Sequence, residues 1–140
     1  MAIDDTRTEA LLRLAEYSLL MRMALRDAVR DLGADPDVLT NSGVVVLIRA
    51  GSEDLLRPGD VAELTGLSSG GVTKLLDRLQ GAGFIDRRYG EIANDARGVS
   101  IHLTKTGERL VRRLAAEFEG HLGELEVALK ELSATVDGAQ

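Results

Sequence analysis

The chain has 140 residues, a length that allows one hydrophobic core and about one domain. It is 44% hydrophobic and 29% charged, the balance of a globular protein and not of a disordered one. It has no cysteine, which excludes disulfide bonds, thiolate metal sites, cysteine nucleophiles and thiol redox sensing. The acidic start of the chain is unlike a secretory signal, and the longest fully apolar run, residues 44–48, is too short to cross a bilayer. The sequence therefore predicts a cytoplasmic protein with no membrane partner.

The net charge of −6 is distributed unevenly along the chain. Residues 55–113 carry ten Lys/Arg against seven Asp/Glu, a net charge of +3, whereas residues 1–54 carry −4 and residues 114–140 carry −5. Phosphate binding needs positive charge on the surface that faces the nucleic acid. A nucleic-acid interface is therefore expected in the middle of the chain.

Both ends of the chain show the spacing of long amphipathic helices. From about residue 8 to residue 32, and from about residue 106 to residue 136, apolar residues recur at steps of three and four, with a break expected at Gly120 and Gly123. The stripe of the first helix is wide enough for a helix buried all round in a monomer or for one that packs on a second subunit, and the small size of the domain favours the subunit interface. The residues predicted to pack there are Leu14, Tyr17, Met21, Leu114, Phe118, Leu125 and Leu129.

The segment from Arg57 to Leu79 predicts two short helices joined by a tight turn. Asp60 is expected to cap a helix over Val61–Thr65, Gly66 to end it, and Ser68 to cap the next helix. This spacing is typical of a helix-turn-helix motif. The second helix buries Val72, Leu75, Leu76 and Leu79 and leaves outside Ser69, Thr73, Lys74, Asp77 and Arg78.

Two strands and a loop are expected after this motif. Residues 84–88 and 99–103 have the pattern of strands, and a polar loop over residues 89–98 separates them. Thr104 is expected to cap the last long helix. The order helix, helix, strand, loop, strand predicts a mainly α (α+β) fold: a winged helix-turn-helix with a two-stranded wing, flanked by long terminal helices.

The stretches LSSGGVTKLLDRLQGAGFIDRR and DARGVSIHLTKTGERL resemble the MarR family of bacterial transcriptional regulators. The resemblance covers about residues 55–110, and the flanking helices match the dimerisation elements of that family in position. It implies one domain over residues 1–140, with dimerisation helices at about 8–32 and 106–136 and a DNA-binding region at about 43–103. It also implies a homodimeric repressor that binds a palindromic operator and is released by a small lipophilic ligand.

The resemblance and the charge pattern together give a set of candidate DNA contacts. The second helix of the motif is expected in the major groove and the wing arginine, Arg97, in the minor groove. Asp95 and Gly98 are expected to shape the wing. The contact residues are Ser68, Ser69, Gly70, Gly71, Thr73, Lys74, Arg78, Arg87, Arg88 and Arg97.

Each of these assignments has a plainer alternative. Gly70 and Gly71 cost helix stability, and the hypothesis is that they let the helix start approach DNA closely; tolerance or close packing on a neighbouring helix would also explain them. Arg97 could be an exposed residue without a role. Arg87 and Arg88 fit phosphate contacts or a solvated strand pair. Asp77 is expected to pair with a nearby cation.

Other functions find less support in the sequence. With two histidines, no cysteine and no phosphate-binding or nucleophile motif, neither an enzyme nor a cofactor is expected. Glu117, His121 and Glu124 have helical spacing for a metal site, but nothing completes the shell and a solvated acidic face is preferred. His102 is expected to be an ordinary exposed histidine.

Two points stay open at this stage. A ligand crevice could be lined by Arg13, Tyr17 and Met21, which are equally well explained as core and surface residues. A winged helix that binds protein instead of DNA is the main alternative function, because a fold does not fix a function.

Overall fold

The computed structural model describes residues 5–95, 97–119 and 122–138. Over these ranges the chain forms a mainly helical winged helix-turn-helix with a two-stranded antiparallel sheet, as predicted. The elements in chain order are α1 (Asp5–Asp31), a 3-10 helix (Pro36–Val38), α2 (Asn41–Ser52), α3 (Pro58–Thr65), α4 (Ser69–Gly81), β1 (Ile85–Tyr89), β2 (Val99–Leu103), α5 (Lys105–Glu119) and α6 (Leu122–Gly138).

The chain divides into two compact units. One consists of Met1–Ala24 with Ala115–Gln140, and the other of Leu25–Leu114. The second unit contains the helix-turn-helix and the wing. That residues 1–140 act as one domain, with dimerisation helices around a DNA-binding region, stays a prediction.

The core of the second unit is built from the apolar faces of its helices and the inward side of its sheet. All four predicted inward residues of α4, from Val72 to Leu79, are buried. They share this core with Val46, Leu47, Leu56, Val61, Phe84, Ile85, Ile101, Leu110 and Leu114. The assignment of Leu114 to a subunit interface is therefore wrong, because this side chain is 2% exposed within its own chain and has almost no surface left for another.

Helix α3 begins three residues before its predicted start. It begins at Pro58, whose fixed φ suits the first helical position, and Arg57 is the residue that precedes it. Asp60 is therefore not the N-cap. Its carboxylate lies in the first turn and accepts a hydrogen bond from the Arg57 backbone N–H at 2.9 Å. The predicted end is confirmed, since Gly66 has φ +71°.

The sheet pairs β1 and β2 in antiparallel register, with Ile85 opposite Leu103 and Tyr89 opposite Val99. The second strand has its predicted bounds, and the first is displaced by one residue, from 84–88 to 85–89. The backbone N–H of Ile101 donates to the Leu56 carbonyl at 2.8 Å, which ties β2 to the segment before α3. The wing is therefore fixed to the helix-turn-helix by backbone bonds as well as by side chains.

Thr104 joins the sheet to α5 and caps that helix, as predicted. Its hydroxyl accepts from the Gly107 N–H at 3.0 Å and donates to the Gly83 carbonyl at 2.6 Å. A Cβ atom at Gly107 would lie 2.1 Å from the Phe84 carbonyl oxygen. The start of α5 therefore packs directly on the backbone at the end of the α4–β1 turn, and only glycine fits there.

The first unit contains the first part of α1, the end of α5 and α6. Tyr17 of α1 donates to Glu124 of α6 at 3.0 Å, and Arg13 pairs with Glu131 at 2.5 Å. The expected break at Gly120 lies outside the described residues, and Gly123 lies within α6.

The apolar stripe of α1 is only partly buried within the chain. Leu12, Leu19 and Met23 are each more than half exposed, so the alternative of a helix buried all round in a monomer is wrong. Among the other predicted interface residues, Met21 and Leu129 are exposed, and Leu14, Tyr17, Phe118 and Leu125 are half-buried. The surface of this unit therefore presents a large apolar area, of the kind that marks an interaction site.

Over the residues that the structure describes, no helix has both the length and the apolar composition needed to cross a membrane.

Candidate nucleic-acid interface

Helix α4 begins with a side-chain cap and an open first turn. The Ser68 hydroxyl accepts from the Gly71 N–H at 3.1 Å, as expected of an N-cap serine. All five residues predicted on the outer face of this helix are exposed: Ser69, Thr73, Lys74, Asp77 and Arg78. The helix thus offers small polar groups at its start and cations further along one accessible face.

The two glycines of this turn are not required by packing inside the chain. A Cβ atom at Gly70 would meet nothing within 4 Å. At Gly71 the nearest atoms would be Leu67 Cβ and Ser68 Oγ, both at 3.4 Å, which is ordinary van der Waals contact. The hypothesis that Gly70 is a glycine because this helix packs closely on a neighbouring helix is therefore wrong. Tolerance and approach by an external molecule are the explanations left.

Lys74 and Arg78 keep their charges available for a partner. Neither forms an ion pair with an acidic side chain among the residues that the structure describes. An ammonium and a guanidinium group on one exposed helix face can each contact a phosphate, and both can also donate to base edges. These two residues are the strongest candidates for charged contacts on α4.

Arg87 has a different environment from the other candidate arginines. Its Nη2 lies 2.5 Å from Asp77 Oδ1 and its Nε donates to Gln80 Oε1 at 2.8 Å. The predicted cation partner of Asp77 is therefore Arg87, whose side chain is 22% exposed. This guanidinium spans from β1 to α4, and its charge is already paired with a carboxylate. Arg88 is more exposed, and its ion pair among the described residues is a long contact with Glu91, at 3.5 Å.

The wing loop is built around a tight turn. Gly90 and Asn94 have positive φ, of +80° and +65°, and Ile92 forms an isolated bridge with Asp95. Such φ values suit glycine and asparagine best. They fold the loop back on itself, which leaves Ile92 only 9% exposed.

Asp95 and Gly98 hold the candidate wing arginine. The Asp95 carboxylate accepts from the Arg97 N–H at 3.0 Å, and its carbonyl accepts from the Gly98 N–H at 3.2 Å. A Cβ atom at Gly98 would lie 2.5 Å from Ile92 Cδ1. These contacts are those of the wing-shaping residues that the sequence predicts. Arg97 itself is exposed.

A polar cluster at the base of the wing was missed by sequence reasoning. Glu91 Oε2 accepts from the Ser100 hydroxyl at 2.7 Å and lies 2.7 Å from His102 Nε2. Hydrogen bonds from Ser100 and then from His102 lower the pKa of Glu91. The prediction of an ordinary exposed His102 is wrong, because the imidazole is only 25% exposed and is held against a carboxylate. The period-two pattern places His102 on a face, but it cannot show that Glu91 folds back onto that face.

A metal site finds no support in the described part of the chain. Over residues 5–95, 97–119 and 122–138, no group of three or more His, Asp or Glu side chains is placed to hold an ion. Of the predicted trio of Glu117, His121 and Glu124, His121 lies outside the described residues.

A cavity of about 370 Å³ lies within the first unit. Arg13, Glu16, Tyr17 and Glu124 are among the residues that line it, and Met21 is not. Arg13 is already paired with Glu131 and Glu9, so the uncompensated charges in this cavity are carboxylates. An acidic ligand would be repelled here.

The comparisons with known proteins agree with this geometry. Residues 43–98 match the model of the MarR family. An 88-residue stretch is 36% identical to an uncharacterised HTH-type transcriptional regulator, YfiV of Bacillus subtilis; the match covers 63% of this chain and 52% of that protein, so it spans about half the length of this curated relative.

Two solved structures show the same fold. AbsC, a MarR family transcriptional regulator from Streptomyces coelicolor, has a TM-score of 0.63 at 24% identity over 99% of both chains. MepR of S. aureus in complex with DNA has a TM-score of 0.63 at 22% identity, over 93% of this chain and 98% of that one. The capped α4 and the wing loop thus lie in the part of the chain, residues 43–98, that is similar to the MarR family.

Proposed function

We propose that this protein is a transcriptional regulator that binds double-stranded DNA through α4 and the wing. The observation that carries the proposal is the outer face of α4, where a capped and sterically open first turn is followed by Lys74 and Arg78 without acidic partners among the described residues. A B-DNA major groove about 12 Å wide accepts one helix of this kind. The +3 charge of residues 55–113 surrounds this face with the sign that DNA requires.

The proposed DNA contacts are of two kinds, small polar groups at the start of α4 and cationic side chains on α4 and the wing. Ser68, Ser69, Gly70 and Gly71 bring small side chains and the helix N-terminus to the DNA, and Thr73, Lys74 and Arg78 extend the contact along the groove. Arg88 binds a phosphate near the wing, and Arg97 enters the minor groove, where narrow A·T-rich segments concentrate negative potential. We assign Arg87 to holding β1 against α4 instead of to a phosphate, because its guanidinium is bound to Asp77 and Gln80.

The protein acts as a homodimer on an inverted repeat. The exposed leucines and methionines of α1 in the first unit supply the apolar surface that a second copy covers. Two copies related by a two-fold axis present two α4 helices to half-sites about one helical turn apart. MepR, a protein with this fold, forms a complex with DNA, which supports the same use of the fold here.

Repression by operator occupancy follows from this arrangement. The dimer must bind both half-sites at once. A change in the distance between the two α4 helices would therefore greatly weaken its binding to the operator. A small lipophilic ligand that changes this spacing would release the DNA. The charge of the first-unit cavity favours a neutral or cationic lipophilic ligand over an acidic one.

The test is selection of bound sequences from a random duplex pool, followed by affinity measurements on the enriched duplex. We expect an inverted repeat, and we expect Lys74→Ala and Arg78→Ala each to weaken binding by about tenfold, the size of one good base or phosphate contact. Lys130→Ala is the matched control, since it removes the same charge from α6, where the ammonium pairs with Glu126. A pool that yields no sequence at low salt would instead favour a winged helix that recognises protein.

A further inference from the structure

The polar cluster at the base of the wing joins three parts of the structure. Glu91 opens the wing loop, Ser100 and His102 lie on β2, and Arg88 lies on β1. Ser100 is completely buried and its hydroxyl contacts Glu91 Oε2 at 2.7 Å, His102 Nε2 at 3.0 Å and the Arg88 carbonyl at 3.3 Å. Because a buried hydroxyl and a half-buried imidazole both contact its carboxylate, the Glu91 side chain is held in one position, unlike most glutamates on a protein surface.

The positions of the protons in this cluster follow from its contacts. Glu91 Oε2 is an acceptor only, so Ser100 must donate its single proton to it and His102 must carry a proton on Nε2 to approach within 2.7 Å. A neutral ring protonated at Nε2 makes this hydrogen bond, and an imidazolium makes it as an ion pair, which is stronger. The strength of the contact therefore depends on the charge of His102.

A chain of contacts leads from Glu91 to Arg97. Ile92 follows Glu91 directly, is nearly buried, and bridges to Asp95. The Asp95 carboxylate in turn holds the Arg97 N–H, and Gly98 lies against Ile92. Movement at Glu91 would shift Ile92 and, with it, the backbone that carries the arginine.

We propose that Glu91 is a positioning residue for DNA binding, which anchors the wing to β2 through Ser100 and His102 and holds Arg97 in place most firmly when His102 is charged. This inference rests on the proposed function, and it adds a proton-dependent control of the wing. The wing is then most ordered, and Arg97 best placed, when the contact between His102 and Glu91 is an ion pair.

The charged groups around His102 support an effect centred on Glu91. Arg88 contacts the other Glu91 oxygen at 3.5 Å, and Asp86 lies opposite His102 in the sheet register. The remaining residues of β2 do not titrate. Helices α2 and α3 also pack on β2, and among their described residues none forms a hydrogen bond or ion pair with His102.

The test compares two conservative variants with the wild-type protein. Glu91→Gln keeps an acceptor oxygen and removes the carboxylate charge, whereas His102→Gln offers an amide N–H in the place of Nε2–H and removes the imidazole ring. The first readout needs no DNA: hydrogen-exchange protection factors of the Asp95, Arg97 and Gly98 amides, measured from pH 5 to pH 8. We expect protection in the wild type to rise about two- to fivefold as the pH falls, the range of a partly exposed ion pair. In both variants we expect protection that does not change with pH.

The second readout is DNA affinity over the same pH range. Any gain in positive charge near DNA raises affinity somewhat, so the informative quantity is the difference in affinity between the wild type and Glu91→Gln, which keeps His102. We expect that difference to grow about two- to fivefold from pH 8 to pH 5. Wing protection equal in Glu91→Gln and the wild type at every pH would overturn the anchor. A pH-dependent wing in a protein that binds no duplex would instead contradict the proposed function and leave the anchor intact.

Discussion

At the residue scale, two glycines of the second unit have opposite surroundings and predict opposite effects of alanine. A Cβ atom at Gly107 would collide with the backbone oxygen of Phe84, whereas at Gly70 it would enter open space. We expect Gly107→Ala to lower the free energy of unfolding by about 2–3 kcal/mol, because the neighbour that must move is backbone. Gly70→Ala should raise it by up to about 1 kcal/mol through its better helix propensity. Denaturant unfolding of both variants measures the two effects, and a Gly107→Ala protein as stable as the wild type would contradict the packing described for the start of α5.

The same substitution at Gly70 also tests why the glycine is there. If this turn presses against DNA, added methyl groups in Gly70→Ala with Gly71→Ala should weaken operator binding by about tenfold or more while the protein becomes no less stable. Anisotropy titration with a labelled operator gives the affinity, and thermal melting gives the stability. Unchanged affinity together with a raised melting temperature would mean that the glycines are merely tolerated.

The lowered pKa of Glu91 predicts that its contribution to stability decreases in acid. Hydrogen bonds from Ser100 and His102 lower its pKa below the ordinary value of 4.5. A carboxyl group whose folded pKa is lowered contributes stability that is present above its unfolded pKa and is lost as the pH falls through the folded value. The melting temperature of Glu91→Gln should therefore lie below that of the wild type at pH 6–7 and approach it below about pH 4. A gap that widens in acid would show that the carboxylate is not stabilised by these donors.

At the element scale, the contact of Arg87 with Asp77 and Gln80 makes α4 and β1 behave as one piece. A residue that contacts a phosphate contributes to the salt dependence of binding, and one that only positions an element does not. We expect Lys74→Ala to reduce the slope of log affinity against log salt by about 1, and Arg87→Ala to lower affinity with the slope unchanged. A salt titration of both variants measures the two slopes. A reduced slope in Arg87→Ala would show that Arg87 contacts a phosphate after all.

The elements also show what the sequence could predict. The burial of Val72, Leu75, Leu76 and Leu79 and the caps at Ser68 and Thr104 depend on neighbours within four residues, so local spacing was sufficient to place them. The α3 start was misplaced because a proline at the first helical position and a carboxylate in the first turn resemble a turn followed by a cap.

The partners that sequence reasoning could not name lie far apart from each other in the chain. Arg87 reaches ten residues back to Asp77, and Glu91 reaches forward to Ser100 and His102. Their pairing depends on the strand register and on the path of the wing loop. No pattern of spacing within one element contains that information, so the assigned role of Arg87 changed and the cluster at Glu91 was not predicted.

At the scale of the whole molecule, the exposed apolar side chains of α1 predict self-association. Leu12 and Leu19 are 57% and 58% exposed in the single chain. Placing a charge at the centre of an apolar interface is costly, so Leu12→Lys with Leu19→Lys should shift a dimer to monomer at micromolar concentration. Sedimentation equilibrium measures the change. Leu64→Lys is the matched control, since this exposed leucine lies on α3 and should leave the oligomeric state unchanged.

Under the proposed function, the affinity for DNA depends on dimerisation. A protein that binds two half-sites at once loses most of its affinity when one is removed. The monomeric variant should therefore bind the full inverted repeat no more tightly than an isolated half-site. Anisotropy titrations with both duplexes measure the two affinities. Tight binding of the full repeat by the monomeric variant would show that DNA binding does not depend on dimerisation.

The measurement that tests the central claim most directly is the salt dependence of binding to a duplex selected from a random pool, for the wild type and for Arg97→Ala. We predict an inverted repeat, a straight line of log affinity against log salt with a slope of roughly −0.9 for each phosphate contacted, and loss of affinity in the Arg97 variant. No enriched sequence at low salt, or an affinity that does not respond to salt, would contradict DNA binding through α4 and the wing and would assign this surface to protein recognition.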